Sequence, residues 1–199
     1  MKRGSMRFWL SASFLFLVLA SGEGIQSNSG NASRSTRRVN ELDIAGLSPG
    51  RTSIARAEAL LGKASKRDGD SSSAVWNSCS GVELIVDVDG RGIVQLIRAA
   101  KSAARKADST CDKAIASVSA WVTGRGLRLG NSTSRVLQLY GAPDSRSPST
   151  KDGQRLELLY YAFDWAGPDV PQVMQVLCTV DKDGKPGRVV EIMLAASSL

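Results

Sequence analysis

Apolar residues recur at helical spacing in two short stretches that nearly repeat one another. In LSPGRTSIARAEALLG (47–62), Ala57, Leu60 and Leu61 stand at i, i+3 and i+4. In LRLGNSTSRVLQLYG (127–141), Val136, Leu139 and Tyr140 do the same. That spacing places each trio on one face of a short helix. The punctuation repeats as well: Gly46 and Gly50 lead into the first stretch, Gly126 and Gly130 into the second, at an offset of 80 residues. Thr52-Ser53 and Ser132-Thr133 follow. A hydroxyl oxygen there can accept from a free first-turn amide, so these positions suit N-caps. Gly62 and Gly141 suit the C-terminal ends, and Pro143 reinforces the second stop.

The echo continues in strand periodicity. ELIVDVDGRGIVQLI (83–97) and VLCTVDKDGKPGRVVEIML (176–194) each read as an alternating strand, an Asp-Gly turn and a second strand. Asp-Gly between alternating runs is a strong hairpin signal. A further candidate strand precedes each hairpin: SAVWNS (73–78) and RLELLYYAFDW (155–165). Each half therefore reads helix, strand, strand, strand. The pattern predicts an α+β fold of two tandem helix-plus-antiparallel-sheet repeats, with the helices on one face of the sheet. Repeat unit 1 spans 45–97, an inter-repeat segment 98–122, and repeat unit 2 spans 123–199. Trp121 is expected to pack at the junction.

Alternation also predicts faces. Glu157, Gln175, Thr179 and Glu191 should point away from the helices, because an unpaired buried carboxylate is costly. The same parity carries Leu159, Tyr161, Phe163, Trp165, Leu177, Val189 and Met193 outward. In the first unit the outward set is Glu83, Ile85, Asp87, Ile93, Gln95 and Ile97, with Trp76 a candidate to join it. Exposed apolar patches mark contact sites, and aromatic residues are favoured anchors. Trp76, Leu159, Tyr161, Phe163, Trp165, Leu177 and Met193 are thus the candidate partner-binding residues. The alternative is cover from the loop 164–172 or from the first unit.

The ends of the chain change the setting. Residues 1–22 carry Lys2, Arg3 and Arg7, then an apolar run over 8–20, then Ala20-Ser21-Gly22. This is the layout of a signal peptide with a small-residue cleavage site; an uncleaved anchor is the alternative. Residues 23–44 are read as a flexible arm, because QSNSGNASRSTRRVN (26–40) is too polar to bury enough surface. The formal charge is +7, and residues 1–22 account for three positive charges and no negative ones, leaving +4. Part of that sits in the arm, at Arg34, Arg37 and Arg38. No basic stripe interleaves with aromatics, so a nucleic-acid partner is not expected. After signal cleavage no stable membrane insertion is expected either.

Candidate chemistry is sparse. There is no histidine, which removes the usual general base of nucleophilic catalysis and the usual zinc ligand. DVDG (87–90) and DKDG (181–184) look like fragments of a calcium loop but lack its closing glutamate, and turn chemistry accounts for them. GRGLRLG (124–130) has the wrong spacing for a dinucleotide fingerprint. Asp164 and Asp169 are the candidate carboxylate pair for hydrolysis. Three cysteines, Cys79, Cys111 and Cys178, leave one thiol over if two pair. Cys178 falls on the inward parity and reads as core; a Cys79–Cys111 disulfide would tie the inter-repeat segment to the first sheet. No metal and no cofactor are expected.

GLRLGNSTSRVLQLYGAPD, followed by an aromatic strand and an Asp-Gly hairpin, resembles the small-protein-A/outer-membrane-lipoprotein-A group of bacterial envelope proteins, which carries such a unit singly. Two units in tandem resemble the β-lactamase inhibitor protein-like layout. That family has paired cysteines inside its units, where this chain offers only a cross-segment pairing. The resemblance implies a helix-backed, concave sheet used for protein–protein contact. The expected function is a secreted or periplasmic, non-catalytic binding module, with inhibition of a β-lactamase-like hydrolase as one form of it. The alternatives are an accessory to envelope or outer-membrane assembly and a carboxylate-dependent envelope hydrolase.

Overall fold

The computed structural model describes residues 43–67, 72–78, 81–101, 121–163 and 172–196. Two helices form where the spacing predicts them, α1 (Ile54–Leu61) and α2 (Thr133–Tyr140). The Ser53 hydroxyl accepts from the Arg56 amide at 3.2 Å, and the Ser132 hydroxyl accepts from the Arg135 amide at 3.2 Å. At the other end the Gly62 amide donates to Glu58 and the Gly141 amide to Leu137. Ala57 and Leu61 are buried under α1, and Val136 and Tyr140 under α2. Leu60 departs from the expected apolar face and is 45% exposed. Among the described residues no helix is long and apolar enough to cross a membrane.

Among the described residues eight antiparallel strands make one sheet: β1 (Lys66–Arg67), β2 (Ser73–Asn77), β3 (Val82–Val88), β4 (Val94–Lys101), β5 (Ser145–Lys151), β6 (Gln154–Phe163), β7 (Gln172–Val180) and β8 (Pro186–Ala196). Their spatial order is β1-β2-β3-β4-β8-β7-β6-β5. This overturns the expected α+β fold of two tandem helix-plus-sheet repeats. A single strand-dominated sheet forms, with two eight-residue helices as its complement among the described residues. The physical reason lies at the seam. β4 and β8 pair over five positions, from Leu96 opposite Ala195 to Ala100 opposite Glu191. Two separate sheets would leave both strands as open edges with unpaired amides and carbonyls; pairing them removes both edges.

Two strands lie outside the expected set. β1 is two residues long, and β5 occupies SRSPSTK, a stretch without apolar alternation. β5 is an edge strand, where polar residues and proline are tolerated because one side of the ladder needs no partner. Boundaries shift too. Ile44, expected in the arm, is fully buried and bridges both Leu47 and Thr123. β4 runs to Lys101, four residues beyond the expected end of the first unit. Trp121 is 4% exposed and belongs to the core cluster. Residues 1–22 lie outside the described residues.

The loop leading into each helix is stitched to a strand. The Gly50 amide donates to Val94 at 2.6 Å, and the Gly130 amide donates to Val189 at 2.8 Å. Both glycines hold left-handed φ angles, +76° and +84°, which residues with a Cβ adopt only at a cost. In return, Val94 donates to Thr52 and Val189 donates to Asn131. Both valines follow from a register shift. Asp87 faces Leu96 but Val88 faces Val94, and Leu177 faces Glu191 but Cys178 faces Val189. Each shift is a β-bulge, which inserts one residue and reverses the facing of everything beyond it.

One tight approach lies beside the second bulge. The Gly187 carbonyl accepts from the Thr133 hydroxyl at 3.1 Å. A methyl group on Gly187 would stand 2.1 Å from Thr179 Oγ1 and 3.0 Å from the Thr179 carbonyl oxygen. Gly187→Ala should therefore destabilise the fold by about 1–3 kcal/mol, the usual cost of overpacking. Thermal unfolding by circular dichroism checks this, and an unchanged midpoint would remove the argument.

Candidate interaction face

Pairing register sorts the side chains of the sheet into two faces. One face packs against the helices: Ala74 and Trp76 of β2, Leu84 and Val86 of β3, Ile97 and Ala99 of β4, Ile192 and Leu194 of β8, Met174, Val176 and Cys178 of β7, and Leu159, Tyr161 and Phe163 of β6. All are buried, and they share one cluster with Ala57, Leu61, Val136 and Tyr140. Four of the candidate binding residues, Trp76, Leu159, Tyr161 and Phe163, are thus core residues, with exposures of 0–1%.

The misplacement of the β6 residues has a specific cause. A carboxylate at position 157 predicts outward parity for its strand, yet Glu157 lies on the helix side of β6, opposite Cys178. It is tolerated there because it sits at the rim: its side chain is 22% exposed and its Oε1 meets Arg146 at 3.4 Å. Its Oε2 is buried without a hydrogen-bond partner. A rim position and one ion pair were enough to place a carboxylate on the core face, and the whole strand follows its parity.

The aromatic residues hold the helices in place. Trp76 Nε1 donates to the Gly62 carbonyl at 2.8 Å, at the end of α1. The Tyr161 hydroxyl donates to the Gly141 carbonyl at 3.2 Å, at the end of α2. Each bond satisfies a carbonyl that the helix leaves free at its C-terminus. Tyr140 closes the second cluster, with ring centroids 5.7 Å from Tyr161 and 6.4 Å from Phe163. Arg125 lies over the Tyr140 ring at 5.3 Å, and the Tyr140 hydroxyl meets Thr123 Oγ1 at 2.8 Å.

The opposite face of the sheet is the candidate site. Leu177 and Met193 do lie there, half-buried, as the alternation predicts. Around them stand residues that sequence parity had turned inward or left unassigned: Leu158 and Tyr160 of β6 and Leu96 and Arg98 of β4, with Ile85 of β3 as expected. All are half-buried. Val189 and Ile97, expected on this face, are in the core because of the two bulges. Polar groups punctuate the surface. The Lys151 ammonium of edge strand β5 meets the Glu191 carboxylate of β8, although β6 and β7 lie between those strands. The Ser73 hydroxyl donates to Asp87. Trp165, Cys79 and Cys111, and the carboxylates Asp164 and Asp169, lie outside the described residues.

The Asp-Gly turns spend their carboxylates on backbone. Asp89 Oδ1 accepts from the amides of Ile93 and Arg91, both at 2.9 Å, and Oδ2 accepts from the Arg91 guanidinium. Asp181 Oδ1 accepts from the amides of Asp183 and Lys185 at 2.9 and 2.7 Å. The Ile93 amide bond is the largest influence holding the Asp89 carboxyl below its ordinary value, with Arg91 adding to it. Cys178 is a free thiol buried in the core, and burial pushes its pKa up. A cleft of about 390 Å³ lies along β5 and β6, lined by Arg146, Arg155, Ser147, Thr150 and Glu157 among others. Its single carboxylate is the one paired with Arg146.

No family model matches the chain, and no curated protein matches it. Two solved structures are similar at low level. One is a DUF4309-family protein of Bacillus subtilis, 10% identical over 81% of this chain and 88% of that one, with a TM-score of 0.41. The other is a cysteine-rich secretory protein of Staphylococcus aureus, 11% identical over 73% of this chain and 44% of that one, with a TM-score of 0.39. Likeness at this level carries no argument about activity or partner.

Two outcomes follow from the placements. Phe163→Ala should cost about 3–5 kcal/mol of stability, the range for emptying a buried aromatic site; a variant that unfolds like the wild type in urea would return Phe163 to the surface. The Asp89 carboxyl should titrate below 3.8, the ordinary aspartate value. Because its folded pKa is depressed, its contribution to stability is present above that value and is lost as pH falls through the folded pKa. Carboxyl NMR titration measures the midpoint, and Asp89→Asn should flatten the acid limb of the stability profile.

Proposed function

We propose that this chain is a secreted or periplasmic, non-catalytic protein-binding module that uses the sheet face opposite its helices. The observation that carries the reading is the band of half-buried apolar side chains across the middle strands, Ile85, Leu96, Met193, Leu177, Leu158 and Tyr160. Such a band, broken by a few fixed polar groups, is the composition of a contact surface. The helix-facing side is already filled by the core, so contact with a partner falls to the other side. Export is supported by the charged, apolar and small-residue succession of residues 1–22. The resemblance to the β-lactamase inhibitor protein-like family makes inhibition of a secreted or periplasmic hydrolase the form of binding to test first.

The test uses the full chain as bait on culture fluid and envelope extract, followed by purification of the retained protein and calorimetry. The triple variant Tyr160→Ala, Leu177→Ala, Met193→Ala should bind that protein at least about tenfold more weakly, since central apolar anchors dominate contact energies. Leu60→Ala, on the exposed side of α1, should bind as the wild type does. Equal binding by the triple variant and the wild type would refute the use of this face. Turnover of the retained protein's own substrate, measured with and without the chain, separates an inhibitor from an assembly accessory.

A further inference from the structure

We infer that the partner docking on this face presents a carboxylate, and that Arg98 receives it; the inference rests on the proposed use of the face for protein contact. Arg98 lies in β4 at the seam, directly opposite Ile85 of β3 on one side and Met193 of β8 on the other. Leu96 and Ala100 flank it along its own strand on the same face. Its side chain is half-buried among these apolar neighbours. It takes part in none of the ion pairs among the described residues. The carboxylates of the same face are placed elsewhere. Glu191 is held by Lys151, Asp87 by Ser73, and Glu83 stands opposite Ala100 without an ion pair to Arg98.

A guanidinium in this position has lost part of its hydration and gained no acceptor among the described residues. Its planar fork matches a carboxylate with two parallel hydrogen bonds, and the apolar side chains of Ile85, Leu96 and Met193 beside it limit the access of water to such a pair. Arginine is a recurrent hot-spot residue. A phosphate could meet the same fork, but a nucleic acid or an anionic lipid surface brings many phosphates. Glu83, Asp87 and Glu191 on this face oppose a polyanion, and the ammonium of Lys151 is engaged. One carboxylate carried on an apolar protein surface fits both Arg98 and its apolar neighbours.

Phage-displayed random dodecapeptides panned against the full chain test this. The wild type should enrich peptides with an aspartate or glutamate between aliphatic or aromatic residues. Synthetic copies should bind Arg98→Met roughly 30-fold more weakly, the effect of removing a hot spot. Arg98→Met keeps the apolar packing of the site, and thermal unfolding confirms that it folds. Panning against Arg98→Glu should select lysine or arginine in the same slot. Peptides that bind Arg98→Met as tightly as the wild type, yet are lost with Met193→Asp, would overturn the role of Arg98 and leave the face reading intact. Peptides indifferent to both variants, or no enrichment at all, would count against both. Binding to phosphatidylglycerol vesicles that needs Arg98 would assign the face to a lipid surface and overturn the inference.

Discussion

The pairing of β4 with β8 is the contact on which the rest of the structure depends. Five residue pairs join the four strands of one half to the four of the other. Without them each half would be a four-stranded sheet with an exposed hydrogen-bonding edge and a small core. With them, one helix-facing surface runs from Ala74 and Trp76 to Tyr161 and Phe163 and shares a single hydrophobic cluster. The same pairing creates the surface on the other side. Arg98 meets Met193 only because β4 and β8 are neighbours, and sequence places them 95 residues apart.

The two bulges set the second constraint. In each hairpin the inserted residue turns a valine, Val94 or Val189, into the core and offers its backbone to the loop before a helix. The loop then presents Ser53 or Ser132 as a cap, so the helix starts at a fixed place over the sheet. At the other end Trp76 and Tyr161 take the terminal carbonyl. Each eight-residue helix is therefore held at both ends by strands. Helices this short are marginal in isolation, and packing with end contacts supplies what local propensity does not.

The consequence for the candidate site is a division of labour among residues of one chemical type. The fully buried aromatic side chains Trp76, Tyr161 and Phe163 stabilise the fold, whereas Tyr160, several aliphatic residues and Arg98 make the open face. Glu157 shows why composition alone misassigns them. A carboxylate on the helix side is acceptable at the rim, where Arg146 reaches it, and would be costly in the middle of the sheet. Burial cost depends on position in the sheet, which local sequence does not encode.

Local features were legible in the chain itself. The hydroxyl caps, the glycine stops, the helical spacing of both stretches and the Asp-Gly hairpins are all properties of neighbouring residues, and they formed as short-range chemistry dictates, with Leu60 alone of the two apolar trios left exposed. Leu177 and Met193 were placed on the correct face for the same reason, since strict alternation holds as far as each bulge. Which strands pair, where an extra residue breaks the register, and that the polar stretch of β5 completes an edge were decided by tertiary structure. Each of these is settled by hydrogen bonds between residues far apart in sequence, and a one-residue slip there reverses a whole strand while leaving its periodicity unchanged.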